Sequence, residues 1–225
     1  MTRLYVLVEG QTEEEFIKAQ LGPNLRPRGL WVQPIVVETS RDAFGRKRRG
    51  GGHWRQWCRD LKRLLGQHGA DARFTTMFDL YGLPDDFPEL DVHADERDAA
   101  QRAILLEGAM TRTFNDYRLI PYIQLHEFEA LVLAALDGLA ELLDDDEDRG
   151  GLESLRTEID GIPPEEVNTG KLMAPSKRLE RSIPSYRKTV HGPLALEAVG
   201  LASLRGACPR FGNWVTTLEN LGTTP

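Results

Sequence analysis

The chain has 225 residues, enough for one sizeable core or a core with a smaller lobe; 40% are hydrophobic and 28% charged, as in ordinary globular proteins. With 28 Lys and Arg against 35 Asp and Glu the formal charge is −7, which excludes a protein that coats nucleic acid indiscriminately but not one with a local basic patch. Its two cysteines, Cys58 and Cys208, stand far apart without close Cys or His companions, so no zinc spacing or disulfide framework is readable.

Those cysteines, and apolar runs that all fall short of the roughly 18 residues a membrane span needs, make a cytoplasmic protein with no membrane contact the expectation. Leu4–Glu9 reads as a buried strand, followed by a helix from about Thr12 to Leu21 with Thr12 as N-cap and Glu15 at the capping-box position. Trp31–Glu38 reads as a second strand, and Pro34 places it at an edge or a bulge. A loop, "RDAFGRKRRGGG", leads into a helix from His53 to about His68 with Trp54, Trp57, Leu61, Leu64 and Leu65 on one face. "RFTTMFDLYG" is a third strand ending at Asp79. After a loop, a helix runs from about Ala94 to Phe114. A fourth strand, Leu119–Leu125, runs into a further helix. The alternation predicts an α/β fold: a Rossmann-like, largely parallel four-stranded sheet flanked by helices.

From about residue 137 the composition changes. Short helical stretches are broken by Pro163, Pro164, Pro175, Pro184, Pro193 and Pro209, and no strand pattern returns. The division is therefore an α/β domain over 1–136 and a helical C-terminal region over 137–225 packed on the same core. The acidic run "DDDED" at 144–148 reads as a solvated helix end.

Ligands of open parallel sheets gather at the carboxyl ends of the strands. Strand one ends at Glu9; strand three ends at Asp79, with Asp85 and Asp86 beyond; strand four is followed by His126, Glu127 and Glu129. If the strands are parallel these groups converge, and clustered carboxylates repel unless a cation neutralises them. Oxygen-only ligands suit Mg²⁺ or Mn²⁺. For Glu14 and Glu15 the helix dipole is reason enough. For Glu9, an acid where a buried strand ends, it is not.

The stretches "VEGQTEEEF", "TTMFDLYGLPDDFP", "IQLHEFEALVLA", "APSKRLERSIPSYRK", "HGPLALEAVGL" and "CPRFGNW" resemble the Toprim domain of topoisomerases, primases and nucleases of the overcoming-lysogenization-defect type. The resemblance is closer to an uncharacterised Toprim-like family, domain of unknown function 4276, often encoded beside ABC-type ATPases in phage-defence loci. It implies a nuclease with Glu9 as metal ligand or general acid/base, Glu13 and Asp79 as further ligands, and a late lysine near the scissile phosphate, Lys188 or Lys177. The family pattern has a second aspartate two residues after the first. This chain has Tyr81 there, so Asp86 or Asp85, with Glu127 and Glu129, are the candidates to complete the set.

Two-metal phosphodiester cleavage needs such carboxylates, and a cation such as Lys188 would neutralise charge developing on the phosphate. The segment 41–63 is dense in base, and Arg46, Lys47, Arg48, Arg49 and Arg55 are the expected phosphate-backbone contacts, with Lys177 flanking the same groove. An acidic protein partner is the other occupant such a loop suits. Trp54 and Trp57, at helical spacing, read as core. The turn after strand one lacks the second glycine and the lysine of a phosphate-binding loop, so the chain is expected to have no ATPase of its own; the family resemblance implies an ATPase of ABC or AAA type as a separate partner. The expected function is Mg²⁺- or Mn²⁺-dependent hydrolysis of DNA, in preference to RNA, in anti-phage defence. The alternatives are a degenerate Toprim module that binds a partner or nucleic acid without catalysis, and a receiver-like protein with Asp79 as phosphoryl acceptor.

Overall fold

A computed structural model describes residues 1–37, 40–41, 47–48, 53–168, 170 and 173–222, with the backbone alone for 40–41 and 47–48. Arg46 and Arg49, and the side chains of Lys47 and Arg48, lie outside the described residues.

The elements follow in chain order as β1 (Thr2–Val8), α1 (Gln11–Phe16), a π-helical turn (Ile17–Leu21), α2 (Gly22–Leu25) and β2 (Leu30–Val36). Next come the paired two-residue strands β3 (Ser40–Arg41) and β4 (Lys47–Arg48), then α3 (Trp54–Gln67), β5 (Ala72–Asp79) and α4 (Ala99–Phe114). Two short strands, β6 (Leu119–Ile120) and β7 (Ile123–Gln124), precede α5 (Glu129–Leu133), α6 (Leu136–Ala140) and α7 (Asp146–Glu158). The last helices are α8 (Pro175–Ser182), α9 (Lys188–Ala207, broken at Gly200) and α10 (Pro209–Leu221).

The main sheet is parallel throughout, in the order β2-β1-β5-β6, with β7 pairing with the end of β5. Pro34 lies in β2 at the sheet edge, where a missing N–H breaks no inner ladder. The expected fourth strand is divided: Pro121, which has no N–H to donate, falls between β6 and β7, and both halves still pair with β5.

β1 is apolar without alternation because both of its faces are covered. Leu4, Val6 and Val8 join a core with α1 and the C-terminal helices. Tyr5 and Leu7 join a second core with Trp57, Leu61 and Leu65 of α3 and with α4. The C-terminal helices therefore share a core with β1, and among the described residues no strand follows Gln124. No helix among them is long and apolar enough to cross a membrane. Cys58 and Cys208 are both unpaired.

Two helix starts differ from expectation. The N-cap of α1 is Gly10 rather than Thr12, and Glu13 rather than Glu15 reaches back, its Oε2 accepting from the Gly10 N–H at 3.0 Å. Thr12 is instead a buried residue of the first turn of α1. α4 starts five residues later than Ala94 because Asp98 caps it, accepting from the N–H groups of Ala100 and Gln101.

Candidate active site

The parallel register sets the ends of β1 and β5 side by side, with Val8 opposite Met77. One residue beyond β1, the Glu9 Oε1 accepts from the Asp79 N–H at 2.7 Å. Asp79, the last residue of β5, turns its Oδ1 to the Phe128 N–H just before α5, at 2.8 Å. Two hydrogen bonds thus stitch together the carboxyl ends of β1 and β5 and the entrance to α5. Gly82 makes room for this: a Cβ there would stand 2.7 Å from the Glu9 Oε2, inside van der Waals contact.

Two more acids close the group. Glu13 is 4% exposed, and Glu129, in the first turn of α5, is fully buried. Among the described residues the one base beside these acids is Lys188, at the start of α9, whose Nζ pairs with the Glu129 Oε2 at 2.8 Å. The Glu129 Oε1 is buried without a hydrogen-bond partner among the described residues.

Glu9 and Asp79 are partly exposed as whole residues, but their carboxyl groups are the sunken part. Burial pushes the Glu9 carboxyl up to about 8. The Asp79 N–H opposes that rise, Glu13 adds to it, and Lys188 opposes it. Burial, then the charges of Glu9 and Glu13, hold Asp79 well above the usual carboxylate range. Burial also raises Glu129, against the pull of Lys188. Burial draws Lys188 down, but Glu129, Asp79 and Glu13 outweigh it and hold its ammonium above its ordinary value. Among the described residues, four carboxyls, those of Glu9, Glu13, Asp79 and Glu129, therefore share one cation.

That donor set fits a hard divalent cation in its chemistry. It is all oxygen, it is short of positive charge, and one buried oxygen has no partner among the described residues. It is not assembled as a finished ligand cage: among the described residues no three His, Cys, Asp or Glu are placed to hold one ion.

The other expected residues have different surroundings. Asp86 accepts from the Trp54 N–H at 2.7 Å and so caps α3 rather than joining the acids. Glu127 accepts from the Ser176 N–H at 3.0 Å, at the start of α8. His126 turns away from the acids, its Nε2 meeting the Glu165 carbonyl oxygen at 3.1 Å, and burial holds it below its ordinary value. Tyr81, in the second-aspartate position, bonds through its hydroxyl to the Asn168 side chain. Lys177 pairs with Glu180 at 2.7 Å on the surface.

Arg55 is exposed on α3, as are Arg59, Lys62 and Arg63, on the side away from the buried Trp57, Leu61 and Leu65. At the start of this helix a depression of about 720 Å³ is lined by His53, Arg55, Gln56, Arg59 and Asp86. Two site features escaped the sequence reading. Gly82 was signalled only by its place three residues after Asp79. Tyr186, which feels the charge of Glu129 and whose buried hydroxyl has no partner among the described residues, carries no sequence signal that tells it from a core tyrosine.

A solved structure of the C-terminal region of the OLD protein of Xanthomonas campestris pv. campestris is 20% identical over 97% of this chain and 96% of that one, with a TM-score of 0.41. A second structure of the same region is 18% identical over 98% of each chain, with a TM-score of 0.38. No curated protein matches the chain. The profile of the domain of unknown function DUF4276 matches residues 8–219, nearly the whole length, and the chain therefore belongs to that family.

Proposed function

We propose that the protein is a divalent-metal-dependent phosphodiester hydrolase acting on DNA. The observation that carries this is the charge imbalance at the strand ends, where Glu9, Glu13, Asp79 and Glu129 share, among the described residues, the single cation Lys188. A bound Mg²⁺ or Mn²⁺ would activate water and stabilise the leaving oxygen. Glu9 and Asp79, fixed by the N–H groups of Asp79 and Phe128, would hold such an ion, with Glu13 and Glu129 completing the set. A Glu9 carboxyl near 8 is suited to hold or release a proton close to neutrality. Lys188 supplies the positive charge for a phosphate oxygen. Arg55, Arg59, Lys62 and Arg63 on α3 offer the phosphate backbone a basic face, and the basic segment preceding α3 in the sequence extends that reading. The sequence resemblance to Toprim nucleases adds the setting: anti-phage defence, with an ATPase of ABC or AAA type supplied by a partner.

One observation favours a second reading, a binding module without catalysis. Tyr81 replaces the second aspartate and is tied to Asn168, and the acids are not gathered as a finished cage. Plasmid cleavage in Mg²⁺ and in Mn²⁺, with and without the ATPase, separates the two. Nicking or linearisation by the wild type, lost in Glu9→Gln, is the expected result. Equal cleavage by Glu9→Gln would remove Glu9 from the site, and a wild type inert under all four conditions would leave the binding module.

A further inference from the structure

Three acids of the cluster are anchored by backbone. The Glu9, Asp79 and Glu13 carboxyls accept from the N–H groups of Asp79, Phe128 and Gly10. Glu129 is different. Among the described residues its only side-chain hydrogen-bond partner is Lys188, and its second oxygen has none. The two ends of this pair also differ in freedom. The Glu129 side chain is 0% exposed and has nowhere to go, whereas the Lys188 side chain is 40% exposed and stands at the first residue of a helix. Its long flexible stem can carry the ammonium into solvent without opening the core.

We propose that Lys188 is a resident stand-in for the metal ion. It holds Glu129 in the metal-free protein, gives that carboxylate up when Mg²⁺ or Mn²⁺ enters, and is thereby released to meet a phosphate oxygen of the substrate. This rests on the metal reading of the site and accounts for an awkward feature of it, the lack of a preassembled cage. A buried carboxylate left without a counter-charge is costly, so the lysine is retained until a better cation arrives. A divalent ion brings twice the charge, and the Glu129 oxygen that has no partner among the described residues is open to it. Ion entry and the arming of Lys188 then become one event.

The test is Mn²⁺ binding, measured by calorimetric titration of the wild type, Lys188→Met and Lys188→Arg. Removing the competing charge should tighten Mn²⁺ binding about tenfold in Lys188→Met, the scale of one unit charge at close range in water, where the exposed ammonium can retreat. Lys188→Arg keeps the charge and should bind like the wild type. If wild type and Lys188→Met bind Mn²⁺ equally, or the variant binds more weakly, the exchange is wrong while the metal site stands. If neither binds, the metal reading fails and the exchange with it. Should Lys188→Met not fold, reductive methylation of the wild type decides: labelling of Lys188 should rise severalfold on adding Mg²⁺, and labelling indifferent to Mg²⁺ overturns the exchange.

Discussion

Two buried acidic clusters in this molecule are built to opposite rules. At the start of α10, both oxygens of Glu165 accept backbone N–H groups, from Phe211 at 3.0 Å and Arg210 at 2.9 Å. The Arg210 guanidinium reaches Glu107 at 2.5 Å and the Ile123 carbonyl oxygen at 3.0 Å, and Glu107 also accepts from the Ile123 N–H. Two acids there share one arginine and three backbone donors. At the strand ends four acids share one lysine, and they also have three backbone donors, none of which goes to Glu129. Burial raises acids in both places, but only at the strand ends do the cluster's own carboxylates add to that rise. A cluster whose carboxylates are all answered holds helices together, whereas an under-neutralised one, on the proposed function, stores demand for a cation. The difference between structure and site lies in how many charges go unanswered rather than in how many acids are buried.

The comparison breaks first on activity. Glu9→Gln keeps shape and the bond from the Asp79 N–H, so the fold should survive while cleavage falls about 10²- to 10⁴-fold, checked by turnover on plasmid DNA. Gly82→Ala should follow, since its methyl group must displace the Glu9 carboxyl: a loss of about 1–3 kcal/mol in chemical denaturation, together with weakened cleavage. Glu165→Ala should do the reverse of Glu9→Gln. It uncaps α10 and costs about 0.5–2 kcal/mol, with cleavage by the folded fraction unchanged. A large loss of activity there without a loss of stability would erase the distinction.

A smaller effect concerns pH. The Glu9 carboxyl rises from 4.5 to about 8 on folding, so between those values the folded chain holds the extra proton. The stability this group contributes is fully present below pH 4.5 and is lost as pH rises through 8. Urea midpoints in EDTA should fall over that window, and less steeply in Glu9→Gln. Smallest is the salt effect. Alanine at Arg55, Arg59 and Lys62 together should flatten the salt dependence of DNA binding, by roughly 0.9 in slope for each phosphate that is no longer neutralised. An unchanged slope would send DNA elsewhere and turn α3 toward an acidic protein partner.

The sheet was largely legible because β1 carries a continuous apolar run up to Glu9 and β5 a run of aromatic and β-branched residues that ends in Asp79, and helical spacing marked α3 down to its buried face. Pro121 was visible as a letter, but whether it would end the fourth strand or merely interrupt it depends on pairing with β5, which tertiary contact decides. Thr12 was the better N-cap by type, yet Gly10 is the residue that stands at the turn, and the glutamate three positions on, Glu13, followed it. The site was half legible. Glu9 and Asp79 share a strand edge that topology alone predicts. Glu127 and Glu129 are two residues apart in "HEFE", and only the direction of α5 sends one to α8 and the other to Lys188. Asp86 stood where an acid was wanted, but its loop carries it to the first turn of α3, where a free N–H claims it.

The spread of the acidic group along the chain, from Glu9 to Lys188, bears on its biosynthesis. A growing polypeptide that has left the ribosome only through Gln124 already has every strand of the main sheet, together with Glu9, Glu13 and Asp79. It lacks both Glu129 and the lysine that answers it. The group cannot be completed until α9 emerges, so the order of translation itself keeps an unfinished chain from holding the full set.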